Sequence, residues 1–272
     1  MNESQITILT DRQTNIDRQC NSLDILKTIC TILIVGSHLL PLIPNKTFNL
    51  LYGQWLFRFC VPVFLISSGY FFEGMNENRK KQYIKRILFL YLVSEILFSP
   101  FIVIAYIAGN LSILGLLKVF LLGYEHLWYL AAMLYGLLIW YFIHKLGCNL
   151  TNRIVTFIAI LLLLLGAIFD EYYHLTSCSM IYSIGQIIDK IGSTRSTIFM
   201  GLPLMLIGRN IYIHGGCSKW RKLYLWIGIG TFSLLSLIEL EIIVSHESIG
   251  YMPTCDLTFF NWYQRYLYLL LL

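Results

Sequence analysis

LDILKTICTILIVGSHLLPLIP, Leu23–Pro44, is the stretch whose reading decides the fold. It is apolar over the length a helix needs to cross a bilayer, about 20 residues. Lys27 stands near its start and His38 near its far end, eleven residues apart. On a helix these two differ by only about 20° in azimuth and by roughly 16 Å along the axis. One face therefore carries a cation toward one membrane surface and an imidazole toward the other. Ionisable side chains are costly in hydrocarbon, so inside a span they are read first as functional.

Composition agrees with that first run. The 272 residues are 57% hydrophobic and 13% charged, with a mean hydropathy of +0.67. Soluble domains carry about 25% charged residues. The expectation is an all-α polytopic transmembrane bundle, because backbone in lipid must satisfy its hydrogen bonds within each segment. A net charge of +5 is no nucleic-acid signature here, since the basic residues cluster in short loops between apolar runs. The seven cysteines show no CxxC spacing and read as buried free thiols rather than metal ligands; Cys178 and Cys255 fall in expected outer loops and are close enough in kind to pair. Residues 1–22 are polar, without a cleaved signal peptide, and form a cytoplasmic segment ahead of one membrane domain over 23–272.

Eight spans are expected, near 23–43, 50–73, 87–108, 127–146, 153–170, 196–213, 223–244 and 257–272. Arg12 and Arg18, the run Arg79–Arg86, Lys145 with Arg153, and Lys219 with Arg221 and Lys222 then all fall on one side, which the positive-inside rule makes cytoplasmic. The protein is expected in the cell membrane, multi-pass, with its N-terminus inside. Leu111–Tyr124 is too short to span and fits an amphipathic helix in the outer interface. The final run stops inside apolar sequence, either because the chain is truncated or because its last helix ends within the bilayer.

The polar residues of the outer half are His38, Arg58, Glu125, His126, Asp170, Glu171 and Arg195. Each has a plain structural reading. Lys27 either snorkels to the interface or binds an anion, and His38 is either a satisfied core histidine or a reactive one. Arg58 lies too deep in its span to snorkel, which favours a buried partner or ligand. Glu125 and His126 read as loop residues at a helix start, and Trp55, Trp128 and Tyr129 fit an aromatic belt as well as a pocket. The basic run 79–86 reads as a solvated loop. No HExxH, GxSxG, Walker A or GxGxxG pattern occurs.

In order along the chain, five blocks resemble the acyltransferase type 3 membrane family. LDILKTICTILIVGSHLLPL is similar to its first helix, an Arg, ten residues, then a His, with Lys27 at the arginine position. RFCVPVFLISSGYFF (Arg58–Phe72) resembles the second-helix block that ends in a Ser-Gly pair, here Ser68 and Gly69. HLWYL (His126–Leu130), FDEYYHL (Phe169–Leu175) and RSTIFMGLPLMLIG (Arg195–Gly208) resemble later blocks, in the version found in the membrane half of membrane-bound serine racemases.

The resemblance implies about ten spans and an O-acyltransferase. Such an enzyme moves an acyl group, commonly acetyl, from cytoplasmic acyl-CoA to a hydroxyl of an extracytoplasmic glycan or other envelope acceptor, without a metal. His38 would be catalytic. Lys27, Arg58, Ser68, His126, Trp128 and Arg195 would bind donor or acceptor. Lysine for arginine at position 27 departs from the pattern where bidentate geometry matters. The other reading is a transporter-like module for a small polar metabolite such as serine, and a third is an inactive remnant. Membrane lipid, acyl-CoA and the acceptor are the expected partners, with a separate partner domain or a second copy of the chain beside them.

Overall fold

The computed structural model describes residues 23–36, 59–124, 127–146, 151–170, 179–191, 197–214, 227, 230–231 and 233–239. Of these, 92% are helical and none lies in a strand. The elements are α1 (23–36), α2 (Cys60–Gly74), α3 (Glu77–Ile107), α4 (Ile113–Leu122), α5 (Trp128–Lys145), α6 (Asn152–Asp170), α7 (Ser179–Ile191) and α8 (Leu202–Ile213). A π-helical turn, Thr197–Gly201, leads into α8, and a short helical piece covers 233–239.

Local chemistry explains several of these boundaries. Asn76 caps α3 by accepting the Arg79 amide at 2.9 Å, and Ser112 caps α4 by accepting the Gly115 amide at 3.0 Å. Pro100 inside α3 removes the N–H that would bond the Ile96 carbonyl; the Ser99 hydroxyl donates to that carbonyl instead, at 2.7 Å. The hydroxyls of Thr28, Thr31, Ser67 and Thr156 also bond their own helices, each donating to the carbonyl four residues back.

The core is built on the crossing of α2 with α8, where Gly69 and Gly208 let the backbones meet. A Cβ on Gly69 would fall inside the Met205 backbone, and one on Gly208 inside the Ile66 carbonyl. Gly136 lets α5 approach Leu202 and Met205 of α8, and Gly201 of the π-helical turn meets Ala132 of α5. Small residues at helix crossings are the usual solution where lipid offers no hydrophobic drive. Phe72, Leu65, Ile66, Leu137, Leu163, Met200 and Leu204 fill the centre. On the flank of α2, the Cys30 and Cys60 thiols meet, both buried and neither in a disulfide, with Val63 beside them.

Contacts down the crossing fix directions. Gly69 meets Met205 and Gly74 meets Tyr212, so α2 and α8 run parallel, and α5 runs with them. Asn152 and Thr156 at the start of α6 meet Arg209 and Asn210 near the end of α8, so α6 runs the opposite way. One end of the bundle thus collects Arg79–Arg86, Lys145 and Arg153, and is called the basic end below.

Two helices are long and apolar enough to cross a membrane, Glu77–Ile107 and Asn152–Phe169. Most of α3 faces outward, with Phe89, Ile96, Leu97 and Ile104 all more than 60% exposed, a surface that suits lipid rather than water. Of the eight expected spans, those near 87–108 and 153–170 fall in these two helices; shorter apolar helices lie beside them among the described residues, and several of the other expected spans lie partly or wholly outside those residues. Two expectations need correction. The basic run 79–86 is not a loop: it is the first turns of α3, and Lys80 within it is buried. Residues 179–191, read as part of an outer loop, form α7. Leu111–Tyr124 does hold a short helix, α4. The 1–22 segment, the span at 257–272 and the Cys178–Cys255 pairing lie outside the described residues.

Candidate functional site

At the basic end, α2, α5, α6 and α8 converge on one buried cation. Arg209 is 9% exposed, about two turns into α8, where an unpaired charge would be very costly. Its Nε lies 3.6 Å from Glu73 Oε1, at the last turn of α2. Trp140 of α5 donates its Nε1–H to Glu73 Oε2 at 3.3 Å, and the guanidinium carbon stands 4.9 Å from the Trp140 ring centroid. Arg209 Nη1 donates to Asn152 Oδ1 at 3.1 Å and to Asn210 Oδ1 at 3.2 Å. Asn210 in turn donates to the Thr156 hydroxyl at 2.8 Å. The Nε–H itself has no hydrogen-bond partner: it is close enough to Glu73 for charge attraction and too far for a good bond.

Two more cations border this cluster. Lys27 of α1 is half-buried, with Nζ 4.5 Å from the centroid of Phe71, two residues before Glu73. Lys80 of α3 lies 5.6 Å from the Phe72 ring and 3.9 Å from Glu77. The arrangement gives the basic end three cations beside aromatic faces, with Glu73 next to Arg209 and Glu77 next to Lys80. That is a surface suited to anions.

The other expected site residues divide sharply. Ser68 sits part-buried between α3 and α5, receiving the Tyr83 hydroxyl at 3.4 Å and donating to Met133 Sδ at 3.3 Å. Trp128 packs half-buried against the core at the opposite end of α5. Lys27, Ser68 and Trp128 therefore each answer to different neighbours. His38, Arg58, His126 and Arg195 lie outside the described residues. Among the described residues, no three His, Cys, Asp or Glu side chains converge as a metal site would need.

Sequence reading missed Glu73, Trp140 and Arg209, and also Glu95, a 5% exposed carboxyl in the far half of α3. A signal was present, since Arg209 and Glu95 stand inside apolar runs as Arg58 does. Depth in the run singled out Arg58 and passed over Arg209, which is near a run's end.

Among the described residues, an all-helical bundle with apolar outer faces and buried ionisable groups fits a membrane-associated class of protein. A family model described as acyltransferase domain matches residues 21–272, nearly the whole chain, and the protein belongs to that family. Two curated relatives carry the name amino-acid racemase, both from Enterococcus faecalis. One is 29% identical over 172 residues, covering 58% of this chain and 24% of its own length. The other is 28% identical over 213 residues, covering 74% of this chain and 29% of its own length. This chain thus spans only 24% and 29% of the lengths of these two relatives. No solved structure matches.

Proposed function

We propose that this protein is a multi-pass membrane acyltransferase. It takes an acyl group, acetyl by preference, from acyl-CoA at the basic end and delivers it to a hydroxyl of a glycan or other envelope acceptor on the opposite side. The observation that carries the reading is the family match over 21–272 joined to the cation-lined basic end. The basic end would face the cytoplasm by the positive-inside rule, with the N-terminus on the same side and about eight spans in all.

In this reading His38 removes the proton of the acceptor hydroxyl as its oxygen attacks the thioester carbonyl. The new acyl–oxygen bond forms, the carbon–sulfur bond breaks, and the departing thiolate takes the proton from the imidazolium. Imidazole suits both halves because its unperturbed pKa lies near working pH. Arg58 and Arg195 would steady the developing oxyanion, and Lys27 would hold donor phosphates. Ser68, His126 and Trp128 would shape the path to the acceptor. In this reading the transfer would need no metal. A partner domain on another chain, or a second copy of this one, would complete the assembly.

The test is transfer of label from acetyl-CoA to envelope glycan in membranes holding the protein. His38→Ala should abolish transfer at unchanged protein level, and wild-type transfer by that variant would refute the mechanism. A second reading is favoured by the name shared by the two relatives: a membrane module that handles an amino acid such as serine. Accumulation of labelled serine in vesicles without any acyl donor would select it.

A further inference from the structure

Between α6 and α8 the chain carries a helix that neither reading uses. Ser179–Ile191, α7, has the sequence SMIYSIGQIIDKI. Met180, Ile181, Ile184, Ile187, Ile188 and Ile191 recur at the spacing of one helix face and fill an arc of about 120°. Ser179, Tyr182, Ser183 and Gln186 stand on the other side. Asp189 and Lys190 cancel, so the helix has no net charge.

The apolar arc is only half covered by protein. Ile181, Ile184 and Ile188 are half-buried and Gly185 beside them is buried, so this side faces the bundle. Met180 and Ile187, within about 20° of one another around the axis, are 68% and 55% exposed. They form the edge of the arc turned away from the bundle. Ser183 and Gln186, further round, are exposed as well.

Placement along the bundle follows from α6, against which α7 packs. Helix α6 begins at the basic end beside Arg209, and its 19 residues rise about 28 Å, close to the thickness of a hydrocarbon core. Its last residue, Asp170, therefore reaches the opposite membrane surface, and residues 171–178 join it there to α7. The outward row of α6 is exposed at Phe157 and Leu161, in the basic half. It is half-buried at Leu164, Leu165 and Phe169, in the half tethered to α7. The 13 residues of α7 rise only about 20 Å, too little to cross, and their polar row would be stranded in hydrocarbon. In water, the Met180–Ile187 edge would be the misplaced half instead. One orientation satisfies both: axis in the plane of the membrane surface, polar row to water, apolar edge in the acyl boundary and continuous with the outward side of α6.

We propose that α7 is an in-plane anchor at the membrane surface opposite the basic end, with its Met180–Ile187 edge seated in phospholipid. Having no net charge, it needs no anionic headgroup. The anchor goes beyond the acyl-transfer reading and stands without it.

Cysteine variants of the full-length protein test it, one copy per nanodisc of zwitterionic phosphatidylcholine, labelled with a polar maleimide and read site by site by mass spectrometry. All four positions used are exposed, so a cysteine there leaves the packing intact. The thiolate is the reacting form, and lipid suppresses it. Met180→Cys and Ile187→Cys should label about tenfold slower than Ser183→Cys and Gln186→Cys. The bundle leaves Met180 and Ile187 exposed and the disc holds no second protein, so lipid is the only cover that can slow them. Fast labelling at all four positions would put the edge in water, and slow labelling at all four would put the whole helix out of water; either overturns the anchor. A contrast that appears only when phosphatidylglycerol is added overturns the uncharged attachment. In intact cells, an impermeant maleimide should reach only one of Gln186→Cys and Lys81→Cys, the latter exposed at the basic end. Labelling of both, or of neither, overturns the placement.

Discussion

Arg209 and Glu73 are two charges taken out of water, and their pairing offsets that cost without turning it into a gain. Removing one partner strands the other, so Glu73→Ala or Arg209→Ala should each destabilise the bundle by about 3–5 kcal/mol, read as a lower melting temperature in detergent. The double replacement Glu73→Leu with Arg209→Met should recover most of the loss, and additive loss in the double variant would mean the two do not act as a pair. Lys27 makes a different case. Its ammonium lies over the Phe71 ring, where either a lysine or an arginine fits. Lys27→Arg should therefore preserve transfer, while Lys27→Ala should raise the KM for acyl-CoA about tenfold, near 1.4 kcal/mol, with kcat little changed. An unchanged KM would remove Lys27 from the donor site. At this scale the sequence singled out Lys27 as an ionisable group in an apolar helix and passed over Arg209. Apart from the adjacent Asn210, the partners of Arg209 are Glu73, Trp140 and Asn152, 57 or more residues away along the chain, and spacing carries no trace of them.

Helices were legible wherever hydrophobicity alone defines them, and illegible at their polar ends. The apolar core of α3 is plain from residue 87 onward, yet the helix starts at Glu77 because Asn76 caps it and Glu77 favours the first turn. Hydropathy sees only the lipid-facing part of such a helix, so a run rich in Arg and Lys reads as loop. Helix α7 escaped for a related reason: Ser179–Ile191 is too short and too polar to span. The short helix α4 was legible because its capping Ser112, its length and its apolar content agree. The crossing of α2 with α8 could not be foreseen, since glycines at 69 and 208 declare small size but not what they touch. That crossing yields a clear prediction. Gly208→Ala drives a methyl into the Ile66 carbonyl and should lower stability by about 1–3 kcal/mol, measured by thermal unfolding in detergent. Gly230→Ala has open space around it and should change little by the same measurement.

For the molecule as a whole, the family was legible from five short blocks in order, and the match over 21–272 agrees with it. The joint placement of the site residues was not, because a helix face read from spacing says which side chains align but not which helices meet. Directions within the bundle add a constraint that sequence lacked: the helices that carry Arg79–Arg86, Lys145 and Arg153 bring them to one end, beside the Arg209 cluster. An anionic donor approaching that end would find cations already arranged on aromatic faces. The central claim is that the chain transfers acyl groups rather than carrying a metabolite. The most direct measurement gives vesicles containing the purified protein acetyl-CoA labelled in its acetyl group, outside the basic end, with an acceptor glycan on the opposite side. Acyl transfer predicts label on the glycan that disappears in His38→Ala. Labelled glycan at wild-type level from His38→Ala, or no labelled glycan from the wild-type protein while serine accumulates, would contradict it.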